Sequence, residues 1–515
     1  MRAALRIGAG VLVVAAAATY GCTSLPPLGA RTASAALPGT ANTRLGQAIV
    51  PLAAEHPGRS GIHALSDGRD AFAARALLAR GAERSLDVQY YIWRDDLTGT
   101  LMLDALRSAA ARGVRVRLLL DDNNTAGLDP VLAALDREPN IEVRLFNPFG
   151  SRGWRSLGYL TDFSRLNRRM HNKSFTADNQ VTIVGGRNVG DEYFGVAGDM
   201  LFVDLDVLAV GPVVQEVSQD FDRYWNSASA YPVSALVDPA AAQASGALAA
   251  HAAQLRARPE AQRYLDAMRS SPFVEQLTGR RLPLEWSKAE LVSDDPAKVL
   301  GDAPQDSRMV VDLGKLLGEP KRQVDLVSPY FVPSKRAAQG LVDIAHSGAK
   351  VRVLTNSLEA TDVAAVHAGY AKWRHELLRA GVSLYELRRR WGPELPDSGR
   401  RRFGSSASSL HAKTFGVDGR SVFVGSFNLD RRSIDLNTEM GFVIDSPALA
   451  QRLGQTLDET IPGSAYEVRL DSDGKLYWLE HTDGKTVRYD QEPGTTVWKR
   501  AGVKVLSVLP IDWLL

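Results

Sequence analysis

Short apolar runs alternate with amphipathic stretches along most of the chain. "LDVQYYI" at 86–92 and "VRVRLLL" at 114–120 are rich in β-branched and aromatic residues, as is typical of buried strands. "GTLMLDALRSAAARG" at 99–113 lies between them, with helical spacing of its apolar residues and a glycine at its end. A strand, a helix and a strand of this length predict a parallel crossover, and therefore an α/β fold.

The same pattern recurs in the second half of the chain. "RSLDVQYYIWRDD" at 84–96 aligns with "RQVDLVSPYFVPS" at 322–334, and "RGVRVRLLLDD" at 112–122 aligns with "SGAKVRVLTNS" at 347–357. Order and spacing agree between the two halves, which indicates that one structural unit is used twice. We predict two duplicated α/β/α sandwich lobes with one shared active site between them.

The segments outside the repeats differ in composition. Residues 23–60 are rich in Ala, Pro, Gly, Ser and Thr, which predicts a flexible tether. Near the chain end, Asp-Gly pairs between short alternating runs predict a β-hairpin. The apolar tail that follows contains Trp513 and either packs on the body or contacts a membrane interface. The remaining predicted domains are a first lobe at 61–235, an Ala-rich helical connector at 236–310, a second lobe at 311–460, and the C-terminal hairpin and tail at 461–515.

Overall composition narrows the function classes only slightly. The chain has 515 residues, too many for one ordinary domain, and 45% of them are apolar, enough for substantial cores. Its net charge of +2 says little about partners. The single cysteine, Cys22, excludes a disulfide framework and a cysteine metal cluster.

The N-terminus has the features of an export signal. Arg2 and Arg6 precede a short apolar run, which falls below the about 20 residues that span a bilayer as a helix. The ending "TYGC" resembles a bacterial lipoprotein signal at 1–22 with Cys22 as the lipidated residue, although Thr19 stands where that pattern prefers leucine. An uncleaved anchor or a plain secretory signal are the alternatives. We expect an exported, membrane-associated protein, lipid-anchored and facing the periplasm.

One motif stands in both halves at the same place. "HNKSFTADNQVTIVGGRN" at 171–188 and "HAKTFGVDGRSVFVGSFN" at 411–428 share His-x-Lys, four residues, Asp, six residues, Gly, and then Asn. The "DN" and "DG" pairs predict two-residue hairpin turns, so side chains of one parity share a face. A base, a cation and an amide around a small residue would form an anion pocket. The predicted sets are His171, Lys173, Gly186 and Asn188, and His411, Lys413, Ser426 and Asn428.

The aspartates of the two motifs stand apart from this pocket. Asp178 follows His171 by seven residues, about 23 Å along a straight strand at about 3.3 Å per residue. We therefore expect Asp178 and Asp418 to shape turns or hold neighbouring loops, although they belong to the catalytic signature.

These paired motifs resemble the phospholipase D superfamily. Other stretches, among them "YYIWRDDLTG", "RRMHNK", "GGRNVGDEYF" and "LPIDWLL", look most like bacterial cardiolipin synthases of the C type. The resemblance implies a phosphatidyltransferase that uses a covalent phosphohistidine and no cofactor. It implies that phosphatidylglycerol and a second phospholipid, possibly phosphatidylethanolamine, are joined into cardiolipin. If water replaces the alcohol, the product is phosphatidic acid. A helper protein stays unspecified.

The resemblance also suggests roles for the motif residues. His171 would attack phosphorus, and His411 would protonate the departing alkoxide and then deprotonate the incoming alcohol. Lys173, Lys413, Asn188 and Asn428, with Gly186 and Ser426, would bind the phosphate.

Each histidine also needs an orienting acid. Aligning "LFVDLDVLAVGP" with "LNTEMGFVIDSP" on Pro212 and Pro447 places Asp204 opposite Glu439, and we expect these two to orient the histidines, with Asp206 as the alternative.

Other chemistries remain as alternatives. The acidic pairs "RDD" (Asp95, Asp96) and "LLLDD" (Asp121, Asp122) could hold a hard cation, but two lysines already supply positive charge, so we expect no metal. Basic stretches such as "RLNRRMHNK", "ELRRRWG" and "SGRRRFGSS" could bind nucleic acid, as in a nuclease. Export and the apolar C-terminus favour lipid, so no nucleic acid is expected. A non-catalytic binding protein is disfavoured because no motif residue is missing. His367 is a possible further residue near the cleft.

Overall fold

The structure is a computed structural model of the chain. It describes residues 25–196, 200–244, 246–389, 407–482 and 484–508. The predicted signal peptide with Cys22, the stretch "SGRRRFGSS" and Trp513 lie outside the described residues.

The first lobe is built on a mixed sheet. Its central strands β2, β3 and β4 run parallel, as the crossover pattern predicts, and the motif hairpin β5–β6 joins β2 antiparallel. Strands β8 and β1 continue the sheet beyond β6, and β9 closes its other side next to β4. The strands are β1 (Ser60–Leu65), β2 (Ser85–Tyr90), β3 (Arg115–Asp121), β4 (Ile141–Phe146), β5 (Ser174–Ala177), β6 (Val181–Gly185), β7 (Met200–Val203), β8 (Asp206–Val210) and β9 (Ala230–Pro232).

The second lobe repeats this topology strand for strand. Its order, β18-β13-β12-β11-β15-β16-β17-β10, matches β9-β4-β3-β2-β5-β6-β8-β1 of the first lobe. The predicted duplication is therefore confirmed. The strands are β10 (Glu285–Ser293), β11 (Gln323–Val327), β12 (Lys350–Asn356), β13 (Ser383–Leu387), β14 (Ala407–Leu410), β15 (Thr414–Val417), β16 (Ser421–Gly425), β17 (Met440–Asp445), β18 (Ala465–Leu470), β19 (Leu476–Thr482) and β20 (Lys485–Tyr489).

Helices cover both faces of the sheet, which confirms the α/β/α sandwich. In β3, Leu118 joins the core formed with α2 and α3, whereas Leu119 joins Phe221 and Trp225 of α8 on the other side. This alternation is what a strand buried on both faces requires. The helices are α1 (Arg44–Ala54), α2 (Gly68–Gly81), α3 (Leu97–Ala111), α4 (Asp129–Leu135), α5 (Arg155–Thr161), α6 (Phe163–Leu166), α7 (Asp191–Phe194), α8 (Pro212–Trp225), α9 (Ala247–Arg256), α10 (Pro259–Arg269), α11 (Pro272–Thr278), α12 (Met309–Leu317), α13 (Lys335–His346), α14 (Ala364–Ala371), α15 (Arg374–Arg379), α16 (Arg431–Asp435), α17 (Pro447–Gln455) and α18 (Val497–Val508).

The connector is only partly helical, which corrects the sequence prediction for 236–310. Helices α9, α10 and α11 cover its first half, but β10 is a strand that belongs to both lobes. Its first residues pair with β1 and the rest pair with β17, so the two sheets form one continuous ladder. The alternating pattern of "LEWSKAELVS" was the signal for this strand.

Residues 31–54 pack on the first lobe, so the prediction of a flexible tether is wrong for this part. The buried guanidinium groups of Arg144 and Arg117 donate to the carbonyls of Thr32 (2.6 Å) and Ser34 (3.1 Å). Helix α1 follows and is N-capped by Thr43. Buried arginines need acceptors, and this strand-like segment supplies its backbone carbonyls.

The predicted C-terminal hairpin is confirmed. Strands β18, β19 and β20 form an antiparallel meander at the outer edge of the second lobe. The chain then returns along the lobe, where Glu492 accepts from Arg374 at 2.6 Å, and α18 is the last element of the described residues. Among the described residues, no helix is both long and apolar enough to cross a bilayer.

Candidate active site

The repeated motif forms the hairpins β5–β6 and β15–β16, but the predicted turn length is wrong. Ala177 pairs with Val181, and Val417 pairs with Ser421, which leaves three residues in each turn rather than two. The first two residues of each turn take positive φ, 51° and 50° at Asp178 and Asn179 in the first hairpin. Each histidine lies before its strand begins. The alternation of side chains between the two faces of a strand, on which the predicted register depended, therefore does not apply to it.

The motif aspartates hold the loops that precede the central strands. The carboxylate of Asp178 accepts the backbone N–H groups of Glu83, Arg84 and Ser85 at 2.8–3.2 Å. Asp418 does the same for residues 321–323 at 2.7–3.1 Å. Both aspartates therefore contact the loops before the central strands, and that they serve the fold rather than the chemistry stays a prediction.

Asp178→Ala should destabilise the protein without removing turnover by the folded fraction. Asp178 is fully buried, so its loss leaves the buried N–H of Ser85 without its partner, at about 1–3 kcal/mol. Asp418→Ala is the matched control, because water can reach its exposed donors and the loss should be about 1 kcal/mol. Thermal unfolding midpoints and kcat check both. A normal midpoint with lost kcat in Asp178→Ala would assign this residue to the chemistry instead.

The two motifs converge on one cavity of about 460 Å³ between the lobes. Both motif histidines line it, so their rings face a common space, as the shared-site prediction requires. The lining consists of Tyr91, Ile92, Arg94, His171, Asn188, Glu192, Tyr193, Pro329, Tyr330, Asp362, His411, Lys413 and Asn428.

Each histidine is held by a carboxylate from the other lobe. Nδ1 of His171 lies 2.8 Å from Oε2 of Glu439, and Nδ1 of His411 lies 2.5 Å from Oδ2 of Asp204. Both carboxylates are buried. A carboxylate on Nδ1 favours the proton on that nitrogen and the lone pair on Nε2, which is the tautomer a nucleophile or base needs.

Backbone pairing between the lobes fixes these contacts. The N–H of His171 donates to Thr438 O at 2.8 Å, and the N–H of His411 donates to Val203 O at 2.8 Å. Strands β7 and β14 form a short parallel pair next to the second contact. Each histidine is thus bound to the residue immediately before the carboxylate that orients it.

Gly186 and Ser426 lie behind the histidines, against the orienting acids, rather than in the cavity. A Cβ on Gly186 would lie 2.1 Å from Oδ1 of Asp204, so glycine leaves room for that carboxylate and not for a ligand. Ser426 Oγ donates to Oε2 of Glu439 at 2.5 Å. The alternative orienter, Asp206, instead pairs with the buried Arg75 at 2.8 Å.

The motif lysines are buried beside the histidines. Lys173 Nζ donates to the carbonyl of His171 at 2.5 Å and lies 5.5 Å from the centre of the Tyr91 ring. Lys413 Nζ donates to the carbonyl of His411. Burial lowers the pKa of Lys413 to about 8 and lowers the pKa of Lys173 well below its usual range.

Burial also keeps both imidazoles neutral near pH 7. It lowers the pKa of His171 well below its ordinary value, and the charges of Lys173 and Lys413 add to this effect. The pKa of His411 falls to about 4 through burial and Lys413, although Asp204 opposes the shift.

The two orienting acids differ from one another. Burial raises the pKa of Glu439 to about 7, and the charge of Lys173 only partly offsets it. Burial acts in the same sense on Asp204, but His411, Lys413 and Arg187 together lower the pKa of that carboxyl below its usual range. Asp204 is therefore the better partner for a protonated imidazole, which makes His411 the easier histidine to charge.

Both motif asparagines line the cavity. Oδ1 of Asn188 accepts from Ile92 N at 3.1 Å, and its Nδ2 donates to the hydroxyl of Tyr193 at 3.1 Å. Oδ1 of Asn428 is buried and has no hydrogen-bond partner in the structure. Both amides stand beside the histidines, where they can contact a bound anion.

Sequence reasoning missed the aromatic residues of the site. Tyr91 meets the ring of His171 edge-on at 4.9 Å, and Tyr193 meets His411 edge-on at 5.2 Å. Tyr330 also lines the cavity and donates to Asp362 at 2.7 Å. The available signal was position, since Tyr91 and Tyr330 follow the ends of the equivalent strands β2 and β11.

The alternative candidates have other partners. Asp121 binds Arg169, Asp122 binds Arg152, and Asp96 caps α3 through the N–H of Gly99. No cluster of three or more histidine, cysteine, aspartate or glutamate side chains within the described ranges could hold a metal ion. His367 is buried and contacts Glu492 and Arg374 away from the cavity, so the interpretation of it as a cleft residue is wrong.

Comparisons with known proteins agree with this architecture. The family described as "Cardiolipin synthase, PLD-like domain" matches residues 77–225 and again 313–461. Cardiolipin synthase C of Escherichia coli K12 is 51% identical over 92% of this chain and 100% of its own length. An uncharacterized protein of Helicobacter pylori 26695 is 33% identical, covering 67% of this chain and 69% of its own.

A solved structure shows the same fold. The crystal structure of phosphatidylserine synthase from Haemophilus influenzae Rd KW20 matches with a TM-score of 0.53 and 13% identity, covering 86% of this chain and 91% of that one. The duplicated lobes, the paired motifs and the family match together confirm the predicted resemblance. The chain belongs to the phospholipase D superfamily, in the family of PLD-like domains of cardiolipin synthases, and carries both copies of the domain.

Proposed function

We propose that the protein is a phosphatidyltransferase that makes cardiolipin from phosphatidylglycerol and a second phospholipid. The observation that carries this proposal is the pair of histidines, each oriented by a carboxylate of the other lobe, in one cavity with lysine and asparagine side chains. Such a site holds a phosphodiester between two nitrogen bases and stabilises its negative charge. The relationship to the cardiolipin synthase of Escherichia coli supports the choice of lipid.

In the first step, Nε2 of His171 attacks the phosphorus of the donor phospholipid. A phosphorus–nitrogen bond forms as the bond from phosphorus to the headgroup oxygen breaks. Nδ1–H of His171 stays on Glu439, whose negative charge stabilises the positive ring. His411 gives the proton of its Nε2 to the departing alkoxide, so the headgroup leaves as a neutral alcohol.

The electrostatic difference between the two pairs supports these roles. Burial, with the charges of Lys173 and Lys413, lowers the pKa of His171, so this ring is neutral and can act as the nucleophile. His411 faces Asp204, which stays ionised, and can therefore carry a proton. The bound phosphodiester anion favours this protonation, because it offsets the lysine charges that lower the pKa of His411 in the free enzyme.

In the second step, the primary hydroxyl of phosphatidylglycerol gives its proton to His411. The resulting oxygen attacks phosphorus, the bond to Nε2 of His171 breaks, and cardiolipin forms. Lys173, Lys413, Asn188 and Asn428 contact the non-bridging oxygens throughout and offset the charge of each transition state. If water enters in place of the alcohol, the same residues release phosphatidic acid.

Radiolabelled phosphatidylglycerol tests the proposal, with and without phosphatidylethanolamine in the same vesicles. The expected product is labelled cardiolipin, and the dependence on phosphatidylethanolamine identifies the phosphatidyl donor. Phosphatidic acid as the main product would make the protein a phospholipase D. Cleavage of DNA but of neither lipid would reassign it to the phosphodiesterases and nucleases.

The N-terminal sequence supports an exported enzyme with a lipid on Cys22, facing the periplasm. Membrane association is the setting expected of a family that acts on phospholipids. Intact mass of the protein purified from membranes tests the location, since the chain should begin at an acylated Cys22. A chain that begins at Met1 without added mass would contradict it.

A further inference from the structure

Two exposed apolar patches are left unexplained by the site. The first apolar patch consists of Trp154, Leu157, Leu160 and Phe163 on α5 and at the start of α6. Trp154 is 71% exposed and Leu160 is 82% exposed, although large apolar side chains are normally covered. Isolated apolar residues at a surface need no explanation, but a run of four within ten residues does.

The first apolar patch lies on the same sheet edge as the catalytic cavity. Helix α5 follows β4 at the carboxyl ends of the parallel strands, which is the sheet edge where Tyr91 enters the cavity. On α5, Tyr159 donates to Asn123 at 2.6 Å, and Asn123 follows β3 at the same edge. The segment then leads to Asn167, whose carbonyl accepts from Arg432 of the second lobe at 2.8 Å.

The second apolar patch is formed by Val363 and the outer face of α18. Trp498 is 86% exposed and Val505 is 61% exposed. They are seven residues apart, or about two helical turns, so they share one face. Val503 faces away from them and packs against Leu358 and Ala368.

The second apolar patch borders the same cavity from the other lobe. Asp362 lines the cavity, and Val363 next to it is 37% exposed. Helix α14 begins there and supports α18, while Lys499 of α18 donates to Leu358 O at 2.6 Å. The two patches therefore stand on the carboxyl-end edges of the two duplicated sheets, the edges from which Tyr91 and Asp362 line the cavity.

Charge on the second apolar patch indicates the kind of surface it contacts. Helix α18 carries Lys499, Arg500 and Lys504 and no acidic residue. A short helix with tryptophan and valine on one face and basic side chains beside them is typical of segments that lie in a bilayer interface. Basic segments are attracted to anionic lipids, and phosphatidylglycerol is one.

We propose that the two apolar patches together form a docking face that inserts into an anionic phospholipid bilayer around the opening of the cavity. This inference deepens the proposed function, because it says how the substrate reaches the site. With both patches in the interface, the cavity opens directly onto the headgroup layer. A phospholipid can then present its phosphate to His171 while its acyl chains stay in the bilayer.

Quenching by bromine-labelled phospholipids in phosphatidylglycerol vesicles tests the docking face directly. The experiment uses the full chain with His171→Ala, so that it does not depend on turnover. Tryptophan fluorescence should be quenched, and Trp154→Phe and Trp498→Phe should each remove part of the quenching. Trp286→Phe is the control, since Trp286 lies on β10, where it is part of neither patch, and its ring stacks on that of His56. Equal quenching in all three variants would overturn the proposal.

A kinetic experiment separates docking from chemistry. Leu160→Ser combined with Val505→Ser should raise KM for vesicles at least tenfold, because each buried side chain contributes about tenfold to affinity. Turnover of a soluble short-chain phospholipid should stay unchanged. Leu52→Ser is the matched control, because Leu52 is 43% exposed on α1, and Arg44 of α1 pairs with Glu83 at the opposite sheet edge.

The outcomes distinguish this inference from the proposed function. No turnover of either substrate by the unmodified protein would remove the proposed function, while the quenching result would still decide the docking face. An unchanged vesicle KM in the double variant would overturn docking alone. A change in oligomeric state on gel filtration would assign the patches to contact with a second copy of the chain.

Discussion

His171→Ala should abolish turnover, with a loss of about 10⁶-fold, the scale expected when a covalent nucleophile is deleted. The other histidine of the described cavity, His411, is held by Asp204 and serves in the proposed mechanism as the acid–base group rather than the nucleophile. His411→Ala should instead slow turnover by about 10²- to 10⁴-fold, the usual contribution of an acid–base group.

The two histidine variants differ in what they leave on the protein. In His411→Ala, a donor with a good leaving group still transfers its phosphatidyl group, so acyl label should accumulate on His171. Mass spectrometry of quenched digests locates it. Label on residue 411 in His171→Ala would reverse the two roles. His171→Gln keeps a hydrogen-bonding side chain near Glu439 and guards against loss of fold, which the unfolding midpoint reports.

Glu439→Gln should lower turnover by about 10⁴-fold, the scale reported when the orienting acid of a catalytic histidine becomes an amide. The amide can donate to Nδ1, which moves the ring proton to Nε2 and removes the attacking lone pair. Ser426 and Ser433 both donate hydrogen bonds to the carboxylate of Glu439. The single oxygen of an amide can accept only part of these hydrogen bonds. Asp204→Asn is the matched control, and it should impair His411 and leave some transfer to His171.

The pH profile of kcat/KM shows whether Glu439 acts as a carboxylate. Its pKa is raised to about 7, so the orienting form is lost as pH falls below 7 and activity should decline there. The pKa of Lys413 is lowered to about 8, so the ammonium is lost as pH rises above 8, which gives the alkaline decline. Glu439→Gln should flatten the acidic limb alone. A variant profile with the acidic limb unchanged would assign that limb to another group.

The strands, the duplication and the shared cavity were predictable because apolar runs and the repeated motif occur in both halves of the sequence. The length of the "DN" and "DG" turns could not be predicted, because three-residue and two-residue turns begin with the same left-handed residues. The packed segment at 31–54 was missed for a different reason. Its composition is that of a tether, and its order comes from Arg144 and Arg117, which are distant in sequence.

The sequence predicted which residues form the site, but it did not predict which acid contacts which histidine. Alignment on Pro212 and Pro447 identified Asp204 and Glu439, but it could not show that each acid crosses to the other lobe. That exchange depends on backbone contacts between Thr438 and His171, more than 260 residues apart, which no local pattern encodes. Gly186 was assigned to the phosphate because a small residue suggests empty space, whereas that space is filled by a carboxylate.

The strand β10 has a consequence for the order of events in catalysis. Its first residues pair with β1 and the rest pair with β17, so the lobes cannot swing apart without breaking backbone hydrogen bonds. With the walls fixed, the alcohol that is released and the alcohol that replaces it occupy the same cavity in turn. The proposed reaction then follows ping-pong kinetics: the first alcohol leaves before the second lipid binds to the phosphatidyl-enzyme.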